Sequence, residues 1–574
     1  MNLPRSYLRR RFVWTRRSPG RTYGLACGWL LLLVSVAHAD TLTETQSHLR
    51  RLLTQFDPLR IAEIDIRALR LIRRVYAARN YLPLWSEPTR LALNAAALSS
   101  VEDGLQARDY PQPTLTISAT SPPVARAAQE ILLTESLTRL AYSLRFGKAN
   151  PRALDPHWNY ARALGATDPV AWLTKVITNG DLAVALAALR PSGPYYGGLR
   201  TALAVYRLAE TAPWPTLSAG PTLKPGQHDP RIAELRARLL AGGDLRATPV
   251  VEALRYDDAL VAAVQVFQAR HGLAIDGAVG NATLNALNVS RAARIDTLRV
   301  NLERVRWIFH DLSDEFVAVN IAAFYAAYVQ DGQIRWQARV VVGRPYRQTP
   351  IFKSQITYLE LNPTWTVPPT ILAEDILPAM RHNLGYLAHK KLQVLDRDGR
   401  ILDPTNLNWS HLPAHNFPYV LRQPPGDDNA LGRVKFIFPN PYAVYLHDTP
   451  ARELFAAPAR SFSSGCIRLE RPFELVEILL RDNPRWTPIA LAAAAATGTP
   501  QRITLLKPLT IMLLYLTAFP DDTGDMQFHD DIYARDAAVR AALDAPFEFS
   551  APDDFVARTA IRFKNSGKVA ASDP

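Results

Sequence analysis

Ser461-Phe462-Ser463-Ser464-Gly465-Cys466-Ile467-Arg468-Leu469 is a small, polar, glycine-bearing turn, and it holds one of only two cysteines in the 574-residue chain. The other, Cys27, lies in a segment with the makeup of an export signal. If that segment is removed, a single thiol remains and no internal disulfide can form. Exported proteins that keep cysteine usually pair it, and a leftover thiol is a candidate for reactivity. A lone cysteine is more often a small buried hydrophobe than a nucleophile. Here Ser463, Ser464, Gly465 and Arg468 do not describe an apolar pocket, and His447 stands 19 positions upstream as a base. A neighbouring histidine can depress a thiol pKa, and a depressed pKa is the expectation for Cys466.

Outward from this turn the residue pattern has period two. Upstream, Arg433 to Phe438 and Ala443 to His447 read as strands. Further back, Phe316 to Ala323 alternates, and Tyr325 to Val329, Asp331-Gly332 and Ile334 to Val342 read as a hairpin. Gly343 to Pro350 is a loop and Ile356 to Leu361 a strand. The prolines of Asn362-Pro363-Thr364-Trp365-Thr366-Val367-Pro368-Pro369 exclude a central strand. Residues 370–425 read as an insertion, a helix over Ile371 to Arg381 followed by loops. Downstream, Pro472 suits the first position of a helix with Phe473, Val476, Leu479 and Leu480 as its buried face. Ala492 to Ala496 is helical or a linker, residues 501–520 return to strand composition, and residues 530–574 look helical, then frayed.

The first half differs. Thr43 to Gln55, Ile64 to Arg79, Ala127 to Phe146, Pro169 to Thr178 and Gly198 to Ala212 carry apolar residues at three- and four-residue spacing, which predicts helices. Tyr81 to Trp85 and Pro151 to Trp158 break that pattern as loops. Pro221 to His228 reads as a linker. Residues 229–290 then hold two apolar stripes, Ile232, Leu235, Leu239 and Leu240, then Leu260, Val264 and Phe267, and a third short helix with Thr283, Leu284 and Leu287. The polar residues Gln268 and Asp276 lie near its turns, where turn and cap chemistry explains them.

Residues 1–39 carry seven arginines and no acidic residue, then an apolar run over Gly24 to Val36, then Ala37-His38-Ala39. That order fits a signal cut before Asp40, with an uncleaved membrane anchor as the alternative. Beyond them, 59 basic residues face 53 acidic. That mild excess is poor support for a nucleic-acid partner and suits an anionic polymer such as a bacterial wall. Basic residues do not interleave with aromatics, and neither a dinucleotide fingerprint nor a phosphate loop occurs. His382 and His389, and His411 and His415, lack a zinc pattern, so neither a metal nor a cofactor is expected.

His447-Asp448-Thr449-Pro450 with Ser463-Ser464-Gly465-Cys466-Ile467-Arg468, together with Gln348-Thr349-Pro350 and Asn362-Pro363-Thr364-Trp365-Thr366-Val367-Pro368, resembles the L,D-transpeptidase family with its YkuD catalytic domain, in its large periplasmic YcbB-like form. Val264 to Gln268, His271-Gly272-Leu273, Asp276-Gly277 and Ala286-Leu287-Asn288 resemble a three-helix peptidoglycan-binding domain. The resemblance implies a multidomain α+β chain: signal peptide 1–39, helical scaffold domain 40–220, peptidoglycan-binding module 221–290, mainly-β catalytic domain 291–500 with an inserted capping segment at about 370–425, and a C-terminal extension 501–574. It implies Cys466 as nucleophile, His447 as base and the Asp448 carbonyl as its orienter, with the backbone N–H groups of Ser464, Gly465 and Cys466 as candidate oxyanion donors. Arg468 either binds a peptide carboxylate or forms an internal ion pair. Ser463 either binds substrate or shapes the turn. Trp365 and Tyr445 either wall the peptide groove or pack in the core. The implied partners are peptidoglycan stem peptides and glycan, an envelope lipoprotein as a second acyl acceptor, and acylating carbapenem-type inhibitors, in the periplasm.

Overall fold

The computed structural model describes residues 42–111, 121–247, 249, 252–310, 312–383, 385–550 and 552. The export segment with Cys27, and the chain after residue 552, lie outside the described residues.

The amino-terminal half is built around the helix Pro123–Phe146, which is buried on all sides from Gln129 to Leu140. A helix without a polar face must satisfy its polar groups internally. Its Glu135 accepts the N–H groups of Arg67 (3.0 Å) and Ala68 (2.9 Å) at the start of helix Leu69–Ala77 and pairs with Arg139. Its Glu130 accepts from the Tyr76 hydroxyl and from Leu84 N–H. The helix predicted from Ile64 starts only at Leu69, because Ile64–Asp65 pairs with Arg60–Ile61 as a two-residue ladder. Pro151–Leu154, predicted as loop, forms one helical turn capped by Asn150.

The module at 229–290 is three helices, Arg231–Gly242, Asp258–Arg270 and Asn281–Leu287, around its own apolar cluster. Gln268 is buried and closes the Asp276-Gly277 turn. Its amide donates to Asp276 and to the Ala278 carbonyl, and its oxygen accepts the Gly277 N–H.

From residue 315 a nine-stranded sheet forms. Glu315–Asn320, Tyr325–Gln330 and the long Gln333–Gly343 make an antiparallel meander turned at Asp331-Gly332, where both residues take positive φ. Gln333–Gly343 pairs with Tyr325–Gln330 along its first half and with Ile467–Leu469 near its end, which closes the ladder into a ring. The strand Gln501–Leu514 lies inside that ring, parallel to Glu315–Asn320 and antiparallel to Phe352–Leu361. Gln501–Leu514, which the sequence reading places in a C-terminal extension, is therefore a strand of the barrel itself. The helix Pro472–Leu480 starts on its proline and buries Leu475, Val476 and Leu480, with Phe473 and Leu479 at the rim.

The insertion has its own cluster around Val367, Leu372, Ile376, Leu387 and Trp409. Besides the helical run from Pro369 to His382 it contains a four-stranded sheet of short strands, Trp365–Thr366, Val420–Gln423, Gln393–Leu395 and Ile401–Leu402, where the sequence reading has loops. The scaffold and the barrel, by contrast, share one continuous apolar core. The helix Arg291–Ile308 runs along their seam. No described helix is long and apolar enough to cross a membrane.

Candidate active site

Two short parallel strands lie side by side in the ring, Leu446–His447 and Ile467–Leu469, with Leu446 opposite Ile467 and His447 opposite Arg468. Side chains alternate along a strand. Leu446 and Ile467 are fully buried in the core, so His447 and Arg468 share the opposite face, and the flanking Tyr445 and Cys466 extend that face by one step. The Ile467 N–H donates to the Tyr445 carbonyl at 3.1 Å, which holds the two segments in register. The Tyr445 ring stands edge-on to the His447 ring, centroids 5.6 Å apart.

His447 is buried, and its Nδ1 lies 2.5 Å from the Asp448 carbonyl oxygen. A carbonyl only accepts, so Nδ1 carries the proton and Nε2 is left with the lone pair. Burial first, then the charges of Arg468 and Lys435, push the imidazole pKa down to about 3. The carboxylate of Asp448 is occupied elsewhere. It accepts the Arg433 N–H at 2.9 Å and pairs with Arg452.

Cys466 is half-buried, with Sγ 3.8 Å from the Ala443 carbonyl. Burial pushes its thiol pKa up, against smaller opposing effects of Tyr445 and Arg468. The depressed pKa expected from the sequence is overturned, because a buried, neutral imidazole offers no positive charge to stabilise a thiolate.

The turn that carries Cys466 is tightly pinned. Ser463 Oγ donates to the Cys466 carbonyl at 2.5 Å and accepts the Gly465 N–H at 3.1 Å. Ser463 therefore shapes the turn. Gly465 N–H is committed to it, which corrects the expectation that this N–H serves an oxyanion. Among the described residues no protein acceptor meets the N–H groups of Ser464 and Cys466, and these two remain as donors. Gly465 has φ of 112°, a region that suits only glycine. Its carbonyl accepts from the buried Thr349 hydroxyl at 2.9 Å, which in turn accepts the Gly343 N–H at 2.9 Å. The Tyr533 hydroxyl continues the chain, accepting from Thr349 N–H and donating to the Gly343 carbonyl.

Three family models match this chain. Residues 314–503 match YkuD, described as "L,D-transpeptidase catalytic domain". Residues 314–503 are an L,D-transpeptidase catalytic domain. Residues 70–203 match a "Scaffold domain" and residues 228–287 a "Putative peptidoglycan binding domain". A "Putative L,D-transpeptidase" of Haemophilus influenzae is 35% identical over 251 residues, 43% of this chain and 49% of that protein. The matched segment thus spans about half the length of that relative. Among solved structures, an L,D-transpeptidase from Stackebrandtia nassauensis has 13% identity over 52% of this chain and 96% of its own, at a TM-score of 0.20. One from Mycobacterium smegmatis has 13% identity over 35% and 58%, at 0.17. Overlaps at these TM-scores carry no weight for function.

Within the L,D-transpeptidase domain, Arg468 is half-buried and its Nε is buried without a hydrogen-bond partner. Trp365 lies in the cap's small sheet and packs on the cap's own apolar cluster. Ser464 is exposed beside Cys466 and accepts from Arg347 Nη1 at 2.8 Å. Two supporting residues, Thr349 and Arg347, escaped the sequence reading. The only hint of them is the Gln348-Thr349-Pro350 string that directly follows Arg347. Among the described residues no group of three metal-ligating side chains comes together.

Proposed function

We propose that the chain is a cysteine-dependent L,D-transpeptidase acting on peptidoglycan stem peptides. The observation that carries this reading is the resting geometry of the pair: a neutral imidazole, fixed by the Asp448 carbonyl, on the same sheet face as a thiol whose turn offers two unpaired N–H groups. In the first half-reaction Cys466 sulfur attacks the carbonyl of the third-position diaminopimelate in a tetrapeptide stem while His447 Nε2 takes the thiol proton. The Ser464 and Cys466 N–H groups receive the oxyanion. The same proton passes to the amine of the departing D-alanine, leaving a thioester. In the second half, the side-chain amine of another stem attacks the thioester. Its proton returns through His447 to the sulfur, and a diaminopimelate–diaminopimelate crosslink forms.

The peptidoglycan-binding match at 228–287 supports a polymeric wall substrate. The arginine-rich start, apolar run and Ala37-His38-Ala39 support export to the periplasm, with the segment cut or kept as an inner-membrane anchor. Intact-protein mass spectrometry after carbapenem exposure should show a covalent adduct on the protein that Cys466→Ala lacks. Incubation with disaccharide-tetrapeptide should yield crosslinked dimer. Tripeptide alone would make water the acceptor and the protein a carboxypeptidase or endopeptidase, and a dimer joined to a lipoprotein amine would name the other acceptor. No adduct and no product would leave a wall-binding protein with an idle domain.

A further inference from the structure

The guanidinium of Arg347 joins three pieces of chain. It donates from Nη1 to Ser464 Oγ (2.8 Å) beside the nucleophile, and it pairs with both Glu374 (2.6 Å) and Asp375 (2.5 Å) of the cap. All five N–H donors of an arginine lie in one rigid plane matched to a carboxylate, and here two carboxylates crowd that single fork. The Arg347 side chain is only 9% exposed, whereas Glu374 and Asp375 are 57% and 42% exposed. The cation is thus built in, and its two partners sit where water can take them back. Both acids stand on Leu372–Ile376, a π-turn within the cap helix. A π-turn is a widened stretch that recurs at functional sites, and it carries neighbouring acids to the same guanidinium. The backbone beneath is shared as well, because the Arg347 carbonyl underlies Gly465.

We propose that Arg347 is a receptor for a carboxylate of the incoming wall peptide, and that Glu374 and Asp375 hold its place until substrate exchanges with them. This deepens, and rests on, the reading of the Cys466 turn as the acyl-transfer site. One ligand carboxylate replacing two protein carboxylates keeps the bidentate pairing and leaves Glu374 and Asp375, already half exposed, to be solvated by water. Exchange frees the cap from the nucleophile turn, while Arg347 keeps its hydrogen bond to Ser464. Arg468 then holds one carboxylate of the peptide and Arg347 another, on two sides of Cys466.

The test measures binding apart from chemistry. Full-length protein carrying Cys466→Ala is titrated calorimetrically with disaccharide-tetrapeptide and with the same peptide after amidation of its carboxylates. In this background Arg347→Gln should weaken binding of the natural peptide by about tenfold or more, the scale of a lost charge-assisted hydrogen bond. It should change binding of the amidated peptide by less than about twofold, and Arg347→Lys should recover part of the loss. Glu374→Gln with Asp375→Asn should tighten binding of the natural peptide several-fold, because the competitors are gone. Equal losses for both peptides in Arg347→Gln, or weaker binding in the Glu374/Asp375 variant, would overturn the proposal and leave Arg347 as a tie between cap and turn. A carbapenem adduct on wild type with peptide binding indifferent to Arg347 would sink this inference alone. Discrimination between the peptides with no adduct would sink the acyl-transfer reading and leave the receptor standing.

Discussion

Burial of both members of the Cys466–His447 pair makes neutral thiol and neutral imidazole the resting species, so the proton moves only when a carbonyl is in place. Iodoacetamide should therefore alkylate Cys466 slowly near neutral pH, with a rate that rises through and beyond the range of a free cysteine and shows no step between about pH 6 and 7. A thiolate plateau below pH 7 would contradict it. His447→Gln should leave that alkylation profile nearly unchanged yet slow carbapenem acylation by about 10²–10⁴, the usual worth of a general base. The same burial has a stability consequence. A histidine held at about 3 when folded and near its ordinary 6.5 when unfolded binds fewer protons in the native state throughout that window. Stability that is fully present above about pH 6.5 is thus lost as pH falls towards 3. Melting curves at pH 7 and at about pH 4.5 should show His447→Gln losing less Tm than wild type over this interval. Thr349→Val removes a hydroxyl that serves both Gly465 and Gly343. It should cost about 1–3 kcal/mol in denaturant unfolding, and should lower kcat for crosslinking more than it raises KM.

At the level of elements, the seam helix Arg291–Ile308 shows how polar sequence is buried. Arg306 is fully enclosed, paired with Glu303 and bonded to the Tyr196 hydroxyl and the Asp103 carbonyl of the scaffold, while Glu303 accepts the Ala149 N–H at 2.6 Å. Arg306→Met strands Glu303 without its partner and should destabilise the fold by about 3–5 kcal/mol, read from denaturant melts. Replacing Arg306 and Glu303 together with apolar residues should cost less than the single change. This helix was hidden in the sequence because its arginines give it the look of a solvent-facing segment, and only partners distant in sequence, among them Asp103, Tyr196, Asp536 and Asp544, make them internal. The hairpin at Asp331-Gly332 was legible because two residues of turn chemistry sit between alternating runs. The cap sheet was not, since strands of two to four residues are too short to display a period. At the site, Cys466 and His447 stood out in local strings, whereas the Asp448 carbonyl came only from the family resemblance; in the structure that carbonyl lies against His447 Nδ1. The commitment of Gly465 N–H to Ser463, and the reach of Arg347 to Glu374 and Asp375, depend on contacts that only the closed fold creates.

Across the described residues the apolar cores mark what packs as a unit. Scaffold and barrel share one core, whereas the cap and the peptidoglycan-binding module each have their own. The module is fastened by Trp214, which lies between the guanidinium groups of Arg238 (3.7 Å) and Arg291 (4.5 Å), and by His271 stacked on Phe528. Because Gln501–Leu514 is an interior strand, truncation after Ile503 should remove the partner of both Glu315–Asn320 and Phe352–Leu361 and leave an open, protease-sensitive sheet. Limited proteolysis and far-ultraviolet circular dichroism of that fragment against full length would show it, and a native-like fragment would refute it. The same strand sets a schedule for biogenesis. Glu315–Asn320 leaves the ribosome before Gln501–Leu514 is synthesised, so the earlier strand waits unpaired on one side while the intervening residues are made. Until the late strand arrives the ring stays open, and the paired strands that carry His447 and Cys466 have no closed barrel behind them.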